Sequence, residues 1–141
     1  MRGITCVLVL VAACLTISGC ARPFGPTPYT FDQSLLTQKQ DTKQSKITVH
    51  RSVQVRGNLS GDNCKTLVFI NDTKAAALAQ NKYVVLYLDV GEYKLRVTGE
   101  CNPESEWFEM GQILHIVSDG SEQVYETEVD AFSRVRMSRT H

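Results

Sequence analysis

From residue 47 onward, apolar and polar side chains alternate in short runs. The pattern recurs in "ITVHRSVQV", "TLVFI", "YVVLYL", "YKLRV", "ILHIV", "QVYETEV" and "FSRVRM", all rich in Val, Ile, Tyr and Phe. A period of two sends successive side chains to opposite faces, so each run predicts a β-strand with one buried face. The segments between them, "GNLSGDN", "ND", "DVGE", "GECNPESE" and "SDGSE", carry the Gly, Asn, Asp and Ser that tight turns require. One window, "DTKAAALAQNK", has three consecutive alanines that favour helix. It is short and lies between two strong strands, so a strand continuing from the "ND" turn is expected there. Seven or eight short strands over residues 47–141 predict an all-β domain, an antiparallel β-sandwich or a small barrel.

Before residue 47 the pattern breaks down. Residues 21–46, "ARPFGPTPYTFDQSLLTQKQDTKQSK", hold three of the four prolines and then a polar run. Such composition buries little, and residues 20–46 are expected to form a flexible linker with one short helical turn around Leu35 and Leu36. A free chain of that length would reach roughly 25–30 Å.

The first residues differ again. Met1, Arg2 and Gly3 precede an apolar run from Ile4 to Ile17, followed by Ser18, Gly19 and Cys20. A single positive charge, an apolar run of about 14 residues and small residues at its end describe a secretory signal peptide over residues 1–19, too short to span a bilayer. "ISGC" resembles the bacterial lipobox, in which an aliphatic residue and two small ones precede the cysteine that becomes the first mature residue. That resemblance implies a diacylglycerol on Cys20, cleavage between Gly19 and Cys20, and a protein tethered to a membrane without crossing it. Two or three acyl chains make release slow. Ala21 follows the cysteine in place of the aspartate that favours inner-membrane retention, which points to the outer membrane and a domain facing the periplasm.

The cysteines then sort themselves. On that resemblance Cys6 and Cys14 fall in the removed segment and Cys20 would carry lipid, which leaves Cys64 and Cys101. An even pair in an oxidising compartment suggests a disulfide, with two buried thiols as the alternative. A bridge would close a loop of 38 residues, counting both ends, contributing up to roughly 4 kcal/mol in the chain-entropy model. Neither cysteine has a His or Cys at ligand spacing, so no metal site is expected.

Charge narrows the partners. The chain of 141 residues carries 15 basic and 15 acidic side chains, so bulk electrostatics recruit no nucleic acid. At 43% apolar residues it can bury a modest core.

Residues 66–97, "TLVFINDTKAAALAQNKYVVLYLDVGEYKLRV", are similar to the core of the small lipoprotein domains grouped as DUF2846, and more distantly to PEGA-type domains. Phe69 to Asp72 correspond to a strand and its turn, Leu86 to Leu88 to an apolar strand, and Gly91, Tyr93, Leu95 and Val97 to the return, with Val90 where such domains usually have proline. "GSEQVYETEV" resembles their closing strand. The resemblance implies an architecture and an envelope location; it brings no catalytic residues.

Candidate chemistry is sparse. "NPESEWFEM" sets Glu104, Glu106 and Glu109 beside Trp107, the combination a sugar-binding cleft uses, though a solvated loop whose aromatic plugs the end of the sandwich is the preferred reading. "FSRVRMSRTH" puts Arg134 and Arg136 on one strand face, fit for phosphate or carboxylate, or simply for a basic edge that resists sheet pairing. His115 alternates away from Leu114 and Ile116 with no nucleophile or carboxylate tied to it, and His50 and His141 form no motif. No catalytic residues and no cofactor beyond the covalent lipid are expected. The sequence therefore reads as a non-enzymatic envelope lipoprotein acting as an interaction or structural module. The alternatives are an accessory lipoprotein of a secretion or conjugation assembly, or a module that binds glycan or lipid.

Overall fold

The computed structural model describes residues 24–52, 64–101, 105–129 and 134–141, with residue 101 and residues 105–110 described by backbone alone. Ten strands and one helical turn follow in order: β1 Gly25–Pro26, β2 Tyr29–Thr30, α1 Gln33–Leu36, β3 Gln44–Arg51, β4 Cys64–Ile70, β5 Thr73–Leu78, β6 Lys82–Asp89, β7 Gly91–Cys101, β8 Ser105–Ser118, β9 Gln123–Val129 and β10 Val135–Arg139. They form two five-stranded sheets, one ordered β1-β6-β3-β9-β10 and the other β2-β5-β4-β7-β8. The second sheet is antiparallel throughout. The first contains two parallel pairings, β1 with β6 and β3 with β9. The fold is an all-β sandwich.

Period-two patterning decides what each sheet buries. Ile47 and Val49 of β3, Val84, Leu86 and Leu88 of β6, Tyr125 of β9 and Val135 and Met137 of β10 point inward from the first sheet. Val68 and Ile70 of β4, Ala75, Ala76 and Leu78 of β5, Leu95 and Val97 of β7 and Ile116 of β8 meet them from the second. Fully burying one of the larger of these side chains stabilises the fold by about 1.5–3 kcal/mol, so the shared face dominates the energetics. The alanine window is strand β5, as its flanks predict; small side chains suit an edge over which another segment lies.

The turns follow their residue chemistry. Ile70 pairs with Thr73, leaving Asn71 and Asp72 as a two-residue loop with φ of 46° and 66°. Positive φ at both positions is what a tight hairpin with right-twisted strands needs, and Asn and Asp tolerate it. The turn after β8 uses Gly120 at φ 93°, with Ser121 N donating to Asp119 Oδ1 at 2.9 Å. Gly111 serves a different need. It sits where the β7–β8 register shifts between Val97 and Gly99, and a Cβ there would run into the Val97 carbonyl.

Polar side chains tie the two sheets together at both ends. Arg51 of β3 is 1% exposed, and its Nη1 donates to the carbonyls of Cys64, at 2.5 Å, and Leu78, at 3.1 Å, both in the opposite sheet. Buried Gln123 of β9 donates from Nε2 to Val117 O at 2.7 Å and accepts from Tyr125 Oη at 2.7 Å. Ser118 Oγ donates to Leu88 O at 2.8 Å, while Ser45 Oγ accepts from Asp119 N and Gly120 N. Buried carbonyls at strand ends would otherwise lose water without gaining a partner.

The segment expected to be a flexible linker is, from Phe24 on, laid along the sandwich. Gly25 and Pro26 pair with Lys82 and Tyr83 at the free edge of β6, and Tyr29 and Thr30 with Ala77 and Ala76 at the free edge of β5. Thr27 joins the two sheets between these pairings. Its backbone N donates to Tyr83 O at 2.8 Å and its Oγ1 to Ala77 O at 2.5 Å. Composition failed to reveal this because backbone hydrogen bonds to open strand edges, rather than apolar burial, hold the segment. Proline is at home in such edge positions, where no ladder needs its missing N–H. The expected helical turn is α1, capped by Asp32, whose Oδ1 accepts from Ser34 N at 3.0 Å. Leu35 and Leu36 pack against the core, and β3 begins at Gln44, three residues before the predicted boundary. Replacing Arg51 with Ala leaves the Cys64 and Leu78 carbonyls without this donor, and urea denaturation should show a loss of about 2–4 kcal/mol. An unchanged midpoint would mean that the guanidinium does not hold this end of the sandwich.

Candidate functional site

The sequence-derived candidates separate into different parts of the fold. Cys20 and Glu104 lie outside the described residues. Glu106 and Trp107 belong to β8, opposite Glu100 and Gly99 of β7. Their stretch, expected to be a loop at the sandwich end, is thus the first part of a long strand paired to β7. Cys64 and Cys101 stand directly opposite each other where β4 pairs with β7.

Arg136 projects outward from β10, the edge strand of its sheet, while Val135 and Met137 point into the core as the alternation predicts. Arg134 is exposed just ahead of the strand. The cationic face is not isolated: Arg136 is paired in register with Glu128, and Ser138 with Glu126. These side chains line a small depression of about 170 Å³ together with Ser52. Opposite charges so close favour internal pairing over capture of an outside anion.

His115 lies on the exposed face of β8, opposite Lys94 in register. It borders a shallow depression of about 460 Å³ lined by Asn71, Glu92, Tyr93, Lys94, Ile116 and Val117. The Lys94 ammonium is held by Asp72 at 2.7 Å, so the depression has a polar floor already engaged. Ile113 and Val117, 50% and 58% exposed, share this face with His115.

A further cluster, which no motif announced, lies on the outer face of the other sheet. The parallel pairing of β3 with β9 places His50 opposite Glu126, and His50 Nδ1 lies 2.6 Å from Glu126 Oε2. His50 Nε2 lies 3.1 Å from Asn81 Oδ1, in the turn between β5 and β6 where Asn81 has φ 57°. Phe24 packs edge-on to the imidazole at 5.2 Å and against Tyr83 at 5.1 Å. Both ring nitrogens of His50 are thus in contact with side-chain oxygens. The ring fastens three separate segments. Only the long-range strand order could have revealed it, since Phe24, His50, Asn81 and Glu126 are scattered along the chain.

Surface carboxylates show ordinary electrostatics. The Lys39 and Gln44 hydrogen bonds hold the Asp89 carboxyl below its usual 3.8, at 2.7 and 2.9 Å respectively. Lys94 does the same for Asp72, and the Ser121 hydrogen bonds do so for Asp119. Burial pushes the Tyr93 and Tyr125 hydroxyls up. Among the described residues, no group of three or more His, Cys, Asp or Glu is placed to hold a metal ion. None of the described helices is long and apolar enough to cross a membrane.

No family model matches the chain, and no curated protein matches it. A solved structure, described as an NMR structure of a protein from Eubacterium rectale, is 17% identical with a TM-score of 0.44, covering 74% of this chain and 96% of that one. A likeness of that size carries no functional argument.

The depressed carboxylates give a signed pH dependence. A carboxyl whose folded pKa lies below its unfolded value stabilises the fold at higher pH, and that contribution disappears as pH falls through the folded pKa. Thermal midpoints should therefore drop between about pH 5 and about pH 2, and Asp89→Asn should flatten part of that slope. Equal slopes in both proteins would show that the Asp89 contacts add nothing.

Proposed function

We propose that this chain is a lipid-anchored protein of the bacterial cell envelope whose β-sandwich acts, without catalysis, as an interaction or structural module at the outer membrane. The observation that carries the reading is the order Arg2, apolar run, Ser18, Gly19, Cys20, with the mature sequence entering a globular fold a few residues later. A secreted chain with that ending is one in which Cys20 becomes the lipid-bearing first residue. The sandwich then works at a membrane surface, where its outward faces are available to envelope proteins or glycans.

In the same reading Cys64 and Cys101 form a disulfide, supported by their cross-strand register at one end of β4 and β7. The bridge would secure the end at which β4 begins and β7 finishes, and would suit an oxidising compartment. A role as accessory subunit of a larger envelope assembly is favoured by one observation: exposed Ile113 and Val117 flank His115 on β8, an edge strand able to take a protein contact.

Two measurements test these statements. Cells fed labelled palmitate should yield a labelled protein that co-purifies with envelope partners after detergent extraction, while Cys20→Ser should give an unprocessed, unlabelled chain. Label persisting in that variant would overturn the anchor. Alkylation of the unfolded but unreduced mature protein should modify neither Cys64 nor Cys101, and two reactive thiols would exclude the bridge.

A further inference from the structure

We infer that the side of the sandwich formed by β1, β2 and the edges of β5 and β6 rests on the phospholipid headgroup layer that holds the anchor. This inference rests on the reading of Cys20 as the lipid-bearing residue and adds an orientation to it. The first support is chain length. Only Ala21, Arg22 and Pro23 separate Cys20 from Phe24, which is already packed against His50 and Tyr83. Four Cα steps span at most about 14 Å, whatever conformation they take. The domain therefore lacks the reach of a free linker, and the side that bears Phe24 stays close to the lipid.

The second support is the chemistry of that side. Phe24, Tyr29 and Phe31 are 66%, 47% and 54% exposed, three of the six large apolar side chains left in solvent among the described residues. All three belong to the segment that covers the β6 and β5 edges. Cations accompany them. Lys65 Nζ lies 4.8 Å from the centre of the Tyr29 ring, Lys74 Nζ lies 4.7 Å from that of Phe31, and the Lys82 ammonium lies beside Gly25. Glu100, 4.0 Å from Lys74, Asp32 at the α1 cap, and Glu126, which is bonded to the His50 ring beneath Phe24, are acids near this side. Aromatic rings with lysines alongside fit the interfacial zone of a bilayer, where rings sit at the headgroup level and ammonium groups meet phosphate. The opposite side of the sandwich, where β8 and β10 form the edges, places His115 far along its sheet from β2.

The test uses the full processed lipoprotein, with an intact mass confirming the acyl chains, reconstituted in vesicles of phosphatidylethanolamine and phosphatidylglycerol containing brominated lipid. In a Trp107→Phe background, one variant carries Phe31→Trp and another His115→Trp, each checked for native circular dichroism. Bromine should remove about half of the emission from the tryptophan at position 31 and leave that at position 115 unchanged. Inserting a Gly/Ser spacer of about 20 residues between Ala21 and Arg22 should weaken the quenching at position 31 by raising the allowed distance. Equal quenching at the two positions, or none at either, in a protein whose mass shows the lipid would overturn the orientation and leave the anchor intact. A mass without lipid on Cys20 would overturn the anchor itself.

Discussion

Neither sheet can exist without the other. Each is apolar on one side only, and Ile47, Val49, Leu86 and Leu88 from one sheet must meet Val68, Ile70, Leu95 and Val97 from the other to leave water. That single contact fixes which face of every strand is inward, and so it also fixes which residues are offered outward. It creates a second demand at the same time. The strand ends and open edges around the apolar layer carry backbone groups that need partners, and Arg51, Gln123, Ser45 and Ser118 meet that need across the gap between sheets.

What could be read from the sequence follows this division. Alternation located seven of the eight main strands because burial of one face is a local, period-two property, and it set Val135 and Met137 on the face opposite Arg136, while β5 was expected from its flanks alone. Hairpin chemistry located the Asn71–Asp72 and Gly120 turns for the same local reason. Strand order was not legible, because pairing between β3 and β9 is set by the whole sandwich, and with it went the His50–Glu126–Asn81 cluster. The segment from Phe24 to Thr30 was misread because what holds it is hydrogen bonding to someone else's edge, which composition does not report.

The same distinction explains the uneven legibility of the functional candidates. Trp107 and Glu106 read as loop residues because Asn102, Pro103 and Ser105 nearby signal a turn, yet β8 starts at Ser105 and carries them along β7. Arg136 was open to reading as an anion contact or a basic edge, because its opposite number, Glu128, stands on a strand whose register with β10 no local pattern announces. Cys64 and Cys101, by contrast, were singled out by counting alone, and what the structure adds is that β4 and β7 set them opposite one another in register.

Thr27 gives the molecule a mechanical character. A pull on the chain ahead of Phe24 reaches the domain at β1, whose two residues hold the β6 edge, and then at Thr27, which grips both sheets at once. Tension directed away from that edge would open these few hydrogen bonds in succession, as in unzipping, before it loads the strands behind them. Release of residues 24–30 would lengthen the chain ahead of α1 while β3 to β10 retained their mutual pairing, so the segment can serve as a compliant element in series with a stiff sandwich.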